Sequence, residues 1–306
     1  MAIPTSRTCE AAEVKILTER CTGCGQCVSV CKDFALKLEN GKAVRAEQSL
    51  FGCCACGHCM AVCPSGAIEV SGRTLSPQDL FPLPARELSA AYEPLLNLLQ
   101  RRRSIREFTD EPVAARDVDK ILAAASTAPM GLPPSDVNVL ALHGKERVRA
   151  FSKDYCAYLE SIRWVVSDGF LLLMRPFWGR ATDQLFRTFV RPLFRIYTEN
   201  MRKGVDVVTY DAPLALYFYG SAYADPADPI VAATAAMLAA ESLGLGTCML
   251  GGIHPLIQMG RKARAFREKH GIRCTSREGV FVIIGHPAVI YAKGVRRTFA
   301  SVAISR

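Results

Sequence analysis

Apolar residues recur at helical spacing in two segments of the middle of the chain. Leu95, Leu98 and Leu99 share one face after Pro94. Val118, Ile121, Leu122 and Ala125 do the same after Pro112, until Pro129-Met130-Gly131 breaks the period. Four short apolar runs then read as strands: Val137 to Leu142, Leu214 to Tyr219, Cys248 to Leu250, and Val280 to Ile284. Between the second and third, Asp228-Pro229 opens an alanine-rich helix that ends at Gly244. Helices alternating with strands predict an α/β or α+β domain.

Nearer the start the period shortens. Ala35 to Leu38 and Lys42 to Val44 flank Asn40-Gly41, a dipeptide suited to a type I′ hairpin turn. Gly66 to Val70 followed by Gly72 predicts a second strand and turn, so that 14–75 reads as an internal repeat. Pro77, Pro82 and Pro84 lack backbone donors and favour extended chain. The expected organisation is therefore a small domain over 1–76, a linker over 77–86, and a larger domain over 87–306. Within the larger domain, about 155–204 is rich in aromatic residues (Trp164, Phe170, Phe177, Trp178, Phe186, Phe189, Phe194) interleaved with arginines, a pattern of amphipathic helices. Three roles are open to it: packing between domains or subunits, a substrate lid, or a membrane-surface helix.

The small domain carries the most specific chemistry. C-x2-C-x2-C-x3-C occurs at Cys21, Cys24, Cys27, Cys31 and again at Cys53, Cys56, Cys59, Cys63. Four thiolates satisfy a 4Fe-4S cube, and in two-cluster ferredoxins the fourth cysteine of each run ligates the other run's cluster. Cys21, Cys24, Cys27 and Cys63 would hold one cluster, and Cys53, Cys56, Cys59 and Cys31 the other. Structural zinc usually takes two C-x2-C halves separated by a longer loop, which three successive two-residue gaps do not suit. A disulfide framework is not expected either, because no signal peptide precedes the cysteines and the chain is long enough to bury a core unaided; a reducing, cytoplasmic setting follows. Lys32 stands where the pattern carries the proline that Pro64 supplies in the second run, and Cys54 is a spare thiol beside Cys53.

Composition changes the picture in one respect. Half of the 306 residues are hydrophobic, no uncharged apolar run approaches the ~18 residues of a spanning helix, and the formal charge is +9. That charge invites a nucleic-acid reading, but two oxidised clusters with their thiolates would remove about 4 units and a bound cofactor phosphate about 2 more, leaving roughly +3. No nucleic-acid partner is expected.

Arg102-Arg103-Ser104-Ile105-Arg106-Glu107-Phe108 follows the first amphipathic helix. A mononucleotide phosphate needs clustered guanidinium forks and a hydroxyl, and Arg102, Ser104 and Arg296 fit that need, with Arg297 the alternative. The same run resembles the R-R-S-x-R-x-F start of the nitroreductase family. Ala128-Pro129-Met130-Gly131, the run Gly244 to Gly252, and Ile284-Gly285-His286-Pro287 followed by Arg296-Arg297 come in the family's order, so the resemblance spans about 95–306. With its cysteine runs the whole chain resembles ferredoxin-fused nitroreductases.

That resemblance implies an α+β protein: a small bacterial-ferredoxin-like domain plus a three-layer α/β/α domain with a mixed sheet. It implies FMN and two 4Fe-4S clusters as cofactors, and a homodimer whose flavin sites lie at the interface. Arg103 and Arg106 would reach the ribityl chain and the pyrimidine edge of the flavin. Gly251 and Gly252, after Leu250, would let the backbone approach the ring at N5. The sequence departs from the family at Met130 to Ser135, where S-x-x-N-x-Q is common; backbone groups near Met130 and Gly131, or Ser135, would have to replace the lost amides. Gly244-x-Gly246 is no dinucleotide loop, since the third glycine is missing and the segment follows a helix.

The expected activity is reduction of a small organic acceptor such as a nitroaromatic, a quinone or an activated alkene, with electrons relayed from ferredoxin or another low-potential donor, NAD(P)H being the other source. The alternative is an electron-transfer flavoprotein without a small-molecule substrate of its own. No catalytic side chain is assigned: the resemblance implies that the ring and active-site solvent carry the chemistry, and His143, His254, His270 and His286 read as structural.

Overall fold

The computed structural model describes residues 12–32, 34–47, 52–131, 136–221 and 224–305. Residues 132–135, Ser135 among them, lie outside these ranges, as does Cys9.

In the cysteine-bearing part, β1 (Glu13–Ile16) pairs antiparallel with β4 (Ile68–Ser71), and β2 (Leu36–Glu39) with β3 (Lys42–Arg45). The β2–β3 turn has Asn40 at φ 50° and Gly41 at φ 74°, the double positive φ that a type I′ turn requires. Two short helices, α1 (Gln26–Val30) and α2 (His58–Val62), lie inside the cysteine runs and pack on each other. Each starts from a left-handed glycine, Gly25 at φ 76° and Gly57 at φ 74°. This repeated Gly-to-helix step is the backbone counterpart of the repeated cysteine spacing. Val14, Leu36, Ala43, Met60, Ile68 and Val70 form a small core with Cys21, Cys27 and Cys59.

Beyond two short 3-10 turns at Pro77–Asp79 and Arg86–Leu88 come α3 (Tyr92–Arg101) and α4 (Ala115–Ser126). The second helix begins three residues after the expected Pro112, because Ala114 is extended and serves as its N-cap. The sheet has the order β5-β6-β8-β7, from β5 (Val137–His143), β6 (Leu214–Gly220), β7 (Gly246–Leu250) and β8 (Gly279–Gly285). These strands pair antiparallel throughout; the parallel pairing is the Ser104–Thr247 bridge on β7.

Alternation along the two central strands builds the layers. Leu214, Leu216 and Phe218 of β6, with Val280, Val282 and Ile284 of β8, pack under α4 and α8 (Asp228–Ser242). Tyr217, Tyr219 and Phe281 point the other way, onto α5 (Lys145–Ser161) and α9 (Arg261–Lys269). Both strands are buried on both faces, so the domain is three layers, α/β/α.

The aromatic-rich stretch is helical: α5, then α6 (Asp168–Leu185), a π-helical turn at Phe186–Val190, and α7 (Arg191–Arg202). Gly179, at φ 77° and ψ 175°, interrupts α6 three residues after Pro176. Tyr155 and Phe194 are buried in the lower core, the one on the Tyr217, Tyr219 and Phe281 face of the sheet, the upper core being the one under α4 and α8, whereas Trp164, Leu172, Leu173, Phe177 and Phe189 are exposed.

Candidate functional site

Two sites emerge. The first is formed by the cysteine runs, whose eight thiols sort into two neighbourhoods. Burial raises the Cys27 thiol, and the nearby thiols of Cys63, Cys21 and Cys24 raise it further. Burial pushes Cys59 up to about 12, helped by Cys53, Cys56 and Cys31; Cys53 is raised by burial too, with Cys56 and Cys31 as thiol neighbours. Each neighbourhood thus holds three cysteines of one run and the last of the other. Backbone amides point at two of the sulfurs: Ala43 N donates to Cys21 Sγ at 3.4 Å, and Ala67 N to Cys63 Sγ at 3.2 Å. The Ala43 amide, chiefly, holds Cys21 low. At Cys63 burial pushes up but is outweighed by the amides of Ala67, Ser65 and Gly66 and the Ser65 hydroxyl.

Amides that favour thiolate over thiol are suited to sulfurs that bind iron. Among the described residues no group of three or more His, Cys, Asp or Glu side chains converges on a single-ion site. An iron–sulfur cube asks for something looser, four thiolates around a cluster, each on its own iron. The spare Cys54 accepts at its carbonyl from Arg73 Nη1 at 3.1 Å.

The second site is a cavity of about 1210 Å³ between the end of α3, the α8–β7 turn and the C-terminal segment. It brings together Arg102, Arg103, Arg296 and Arg297, with Arg101, Lys293 and Glu241 also in its lining. The backbone explains how. Gly244, at φ 78°, closes α8, and Leu245 N returns to Ala240 O at 2.9 Å. The chain then enters β7 at Gly246. There Ile105 N donates to Thr247 O at 2.9 Å, so the Arg-Arg-Ser segment lies along the strand. A Cβ at Gly246 would sit 2.8 Å from Ile105 Cγ1. Glycine is what permits this approach.

The remaining candidates lie elsewhere. Ser104 is bridged to Thr247 and its side chain bonds to the buried Cys248 thiol. Burial raises that thiol, against the pull of the Arg106 and Arg102 charges. Arg106 is not among the cavity's lining; its guanidinium stands 5.7 Å from the centre of the Tyr210 ring. Leu250, Gly251 and Gly252 close β7 on the lower-core side, where the Tyr155 hydroxyl donates to Gly252 O at 3.3 Å and Leu193 and Tyr197 of α7 adjoin Gly252. Among the described residues, a Cβ at Gly251 would meet nothing within 4 Å. Met130 packs against the upper core, and the Gly131 N–H is committed to Asp228 Oδ1 at 2.9 Å.

The four histidines are placed structurally: His143 against Val113 O, His254 with Tyr217, His270 among Phe151 and Phe266, and His286 at 3.6 Å from Glu111. Sequence reading missed Gly246 as the residue that seats the arginine segment, and Tyr197 as a neighbour of Gly252. The first had a signal in the Gly-Leu-Gly-Thr run; the second had none, since helical spacing does not say which neighbour a helix face meets.

A guanidinium-lined cavity with a glycine-made wall fits a nucleotide phosphate. No described helix is long and apolar enough to cross a membrane. Against known proteins, a model of the nitroreductase family matches residues 99–286, and a model of a 4Fe-4S dicluster domain matches 20–68. A protein described as FMN reductase [NAD(P)H] from Bacillus subtilis (strain 168) is 29% identical over 206 residues, covering 66% of this chain and 69% of that one. A crystal structure of a nitroreductase with bound FMN from Bacteroides fragilis NCTC 9343 superposes with a TM-score of 0.50 at 16% identity, covering 69% of this chain and 98% of that one. At that identity the likeness is one of fold.

Proposed function

This chain belongs to the nitroreductase family, and from that premise we propose that it is an FMN-dependent oxidoreductase fed by two 4Fe-4S clusters of its own, reducing a small organic acceptor such as a nitroaromatic, quinone or activated alkene. The observation that carries the reading is the sorting of the eight cysteines into two mixed neighbourhoods in the same chain as an arginine-lined cavity. The division into domains at 77–86, assembly as a homodimer and a cytoplasmic setting belong to the same proposal.

When bound, the clusters supply one-electron transfer and FMN supplies two-electron reduction of the acceptor. The chain's own residues hold and orient these groups. Cys21, Cys24, Cys27 and Cys63 ligate one cluster; Cys53, Cys56, Cys59 and Cys31 the other. Arg102, Arg296 and Arg297 hold the phosphate, Arg103 reaches toward the ribityl chain, and Ser104 and Arg106 act from the β7 side. Gly251 leaves room for a flat ring and an acceptor lying over it, with Gly252 next to it against Leu193 and Tyr197.

The name of the Bacillus subtilis relative favours NAD(P)H as a second electron source. One anaerobic experiment separates the two. The protein, given reduced ferredoxin or dithionite and a panel of nitroaromatics, quinones and enones, turns acceptors over saturably; Cys24→Ser loses the ferredoxin-driven activity. Ferredoxin-driven turnover that survives cluster loss would sink the relay, and rapid flavin reduction by NADH or NADPH without the clusters would establish the second source.

A further inference from the structure

A separate cavity of about 300 Å³ lies where the last turn of α5 and the 3-10 turn at Arg163–Val166 meet α7. Its lining carries four guanidiniums, Arg163, Arg191, Arg195 and Arg202, against two carboxylates, Glu160 and Glu199. Two of the four are already engaged. Arg191 donates to Val166 O and Asp168 Oδ1, both at 2.8 Å, and Arg202 pairs with Glu160 at 2.6 Å. Among the described residues, Arg163 and Arg195 have no side-chain hydrogen bond or ion pair, although both open onto the same cavity.

The floor is apolar: Leu159 is fully buried, Phe194 is 3% exposed and Val166 6%. On α7, Arg191 is already neutralised by Asp168, which leaves Arg195, one turn further along the same face, as the guanidinium of that helix open to a further anion. Two uncommitted guanidiniums lining one cavity with apolar residues suit an oxyanion carried on a hydrophobic body. The volume is at the small end for ligand pockets, roughly 300 to 1,000 Å³.

We propose that this cavity is a binding site for a small organic anion, its carboxylate or phosphate held by Arg163 and Arg195 and its apolar body lying over Val166, Pro192 and Phe194. The site is independent of the flavin reading. It occupies one face of α7, while Leu193 and Tyr197 on the same helix adjoin Gly252.

Calorimetric titration of the full-length, cofactor-loaded protein with benzoate, phenyl phosphate and neutral benzamide tests it. At least one of the two anions binds, more weakly as salt is raised, and benzamide does not; which anion binds tighter tells carboxylate from phosphate. Arg163 and Arg195 are exposed, so Arg163→Gln and Arg195→Gln keep the fold, with the melting midpoint as the check. Each weakens the anion by about tenfold or more, the loss expected for a charge-assisted hydrogen bond. The proposal is overturned if neither anion binds, if benzamide binds equally, or if either variant loses less than about tenfold. Binding retained in both variants would put the anion at another site on the protein.

Discussion

A Cβ at position 246 would lie 2.8 to 2.9 Å from three atoms of Ile105, whereas one at position 251 would meet nothing within 4 Å. The two glycines therefore do different work, and alanine separates them. Gly246→Ala overpacks the contact between β7 and the Arg-Arg-Ser segment, costing about 1–3 kcal/mol, which lowers the melting midpoint by several degrees and loosens the arginines around the cavity. Gly251→Ala changes the flavin-free protein by no more than about 0.5 kcal/mol, because its neighbourhood is open. It nonetheless weakens FMN retention if the Gly251 backbone lies against the ring. Thermal melts of the stripped proteins, with FMN content after gel filtration, check both. A stripped Gly251→Ala protein as damaged as Gly246→Ala would refute the division, and full FMN retention by Gly251→Ala would remove that residue from the flavin site.

At the level of elements, pattern and structure agree where a local signal suffices. The four strands of the larger sheet fall on the four apolar runs, and the β2–β3 hairpin turns at Asn40-Gly41, where positive φ is needed. Agreement fails where partnership decides. β1 reads Glu-Val-Lys-Ile and is a strand only because β4 pairs with it from across the repeat. The helices α1 and α2 are five residues each, too short for a periodicity to show, and exist because left-handed Gly25 and Gly57 turn the chain between cysteines.

Burial of polar groups was equally hidden. Tyr217 of β6 and His254 of the turn after β7 share a hydrogen bond of 2.8 Å inside the lower core, with Gln258 beside them. Burial holds the His254 imidazole below its usual range, and His270 is lowered in the same way. The native state thus resists protonating them, while the unfolded chain takes up protons near pH 6.5. Their effect is absent above that pH, and stability falls as the pH drops below it toward the depressed native values. Denaturant midpoints between pH 8 and pH 5 check this: His254→Asn is less stable at neutral pH, through the lost Tyr217 bond, and shows a shallower decline on acidification. An unchanged slope would remove His254 from the acid response.

For the molecule as a whole, the formal charge of +9 matters less than where cations gather. Among the described residues, six of them, Arg101, Arg102, Arg103, Lys293, Arg296 and Arg297, line one cavity with the carboxylate of Glu241, and the Arg101–Glu241 pair is 3.8 Å long and exposed on the arginine side. Sequence motifs named four of these six; the convergence of residues some 190 positions apart is a tertiary fact. Such a concentration of positive charge repels itself and is relieved by a bound phosphate, so retention of FMN should be electrostatic in large part. Raising ionic strength from 0.01 to 0.1 M shortens the screening length from about 30 to about 10 Å. FMN then dissociates more readily on dilution, as read by recovery of free-flavin fluorescence. Arg296→Ala weakens retention by about tenfold or more and flattens the salt dependence, because one of the charges being screened is gone. Arg106→Ala, outside this cavity, weakens retention without flattening it. Equal flattening by both would mean that the arginine segment acts as a diffuse field, and a salt-independent retention would place the phosphate away from the cluster altogether.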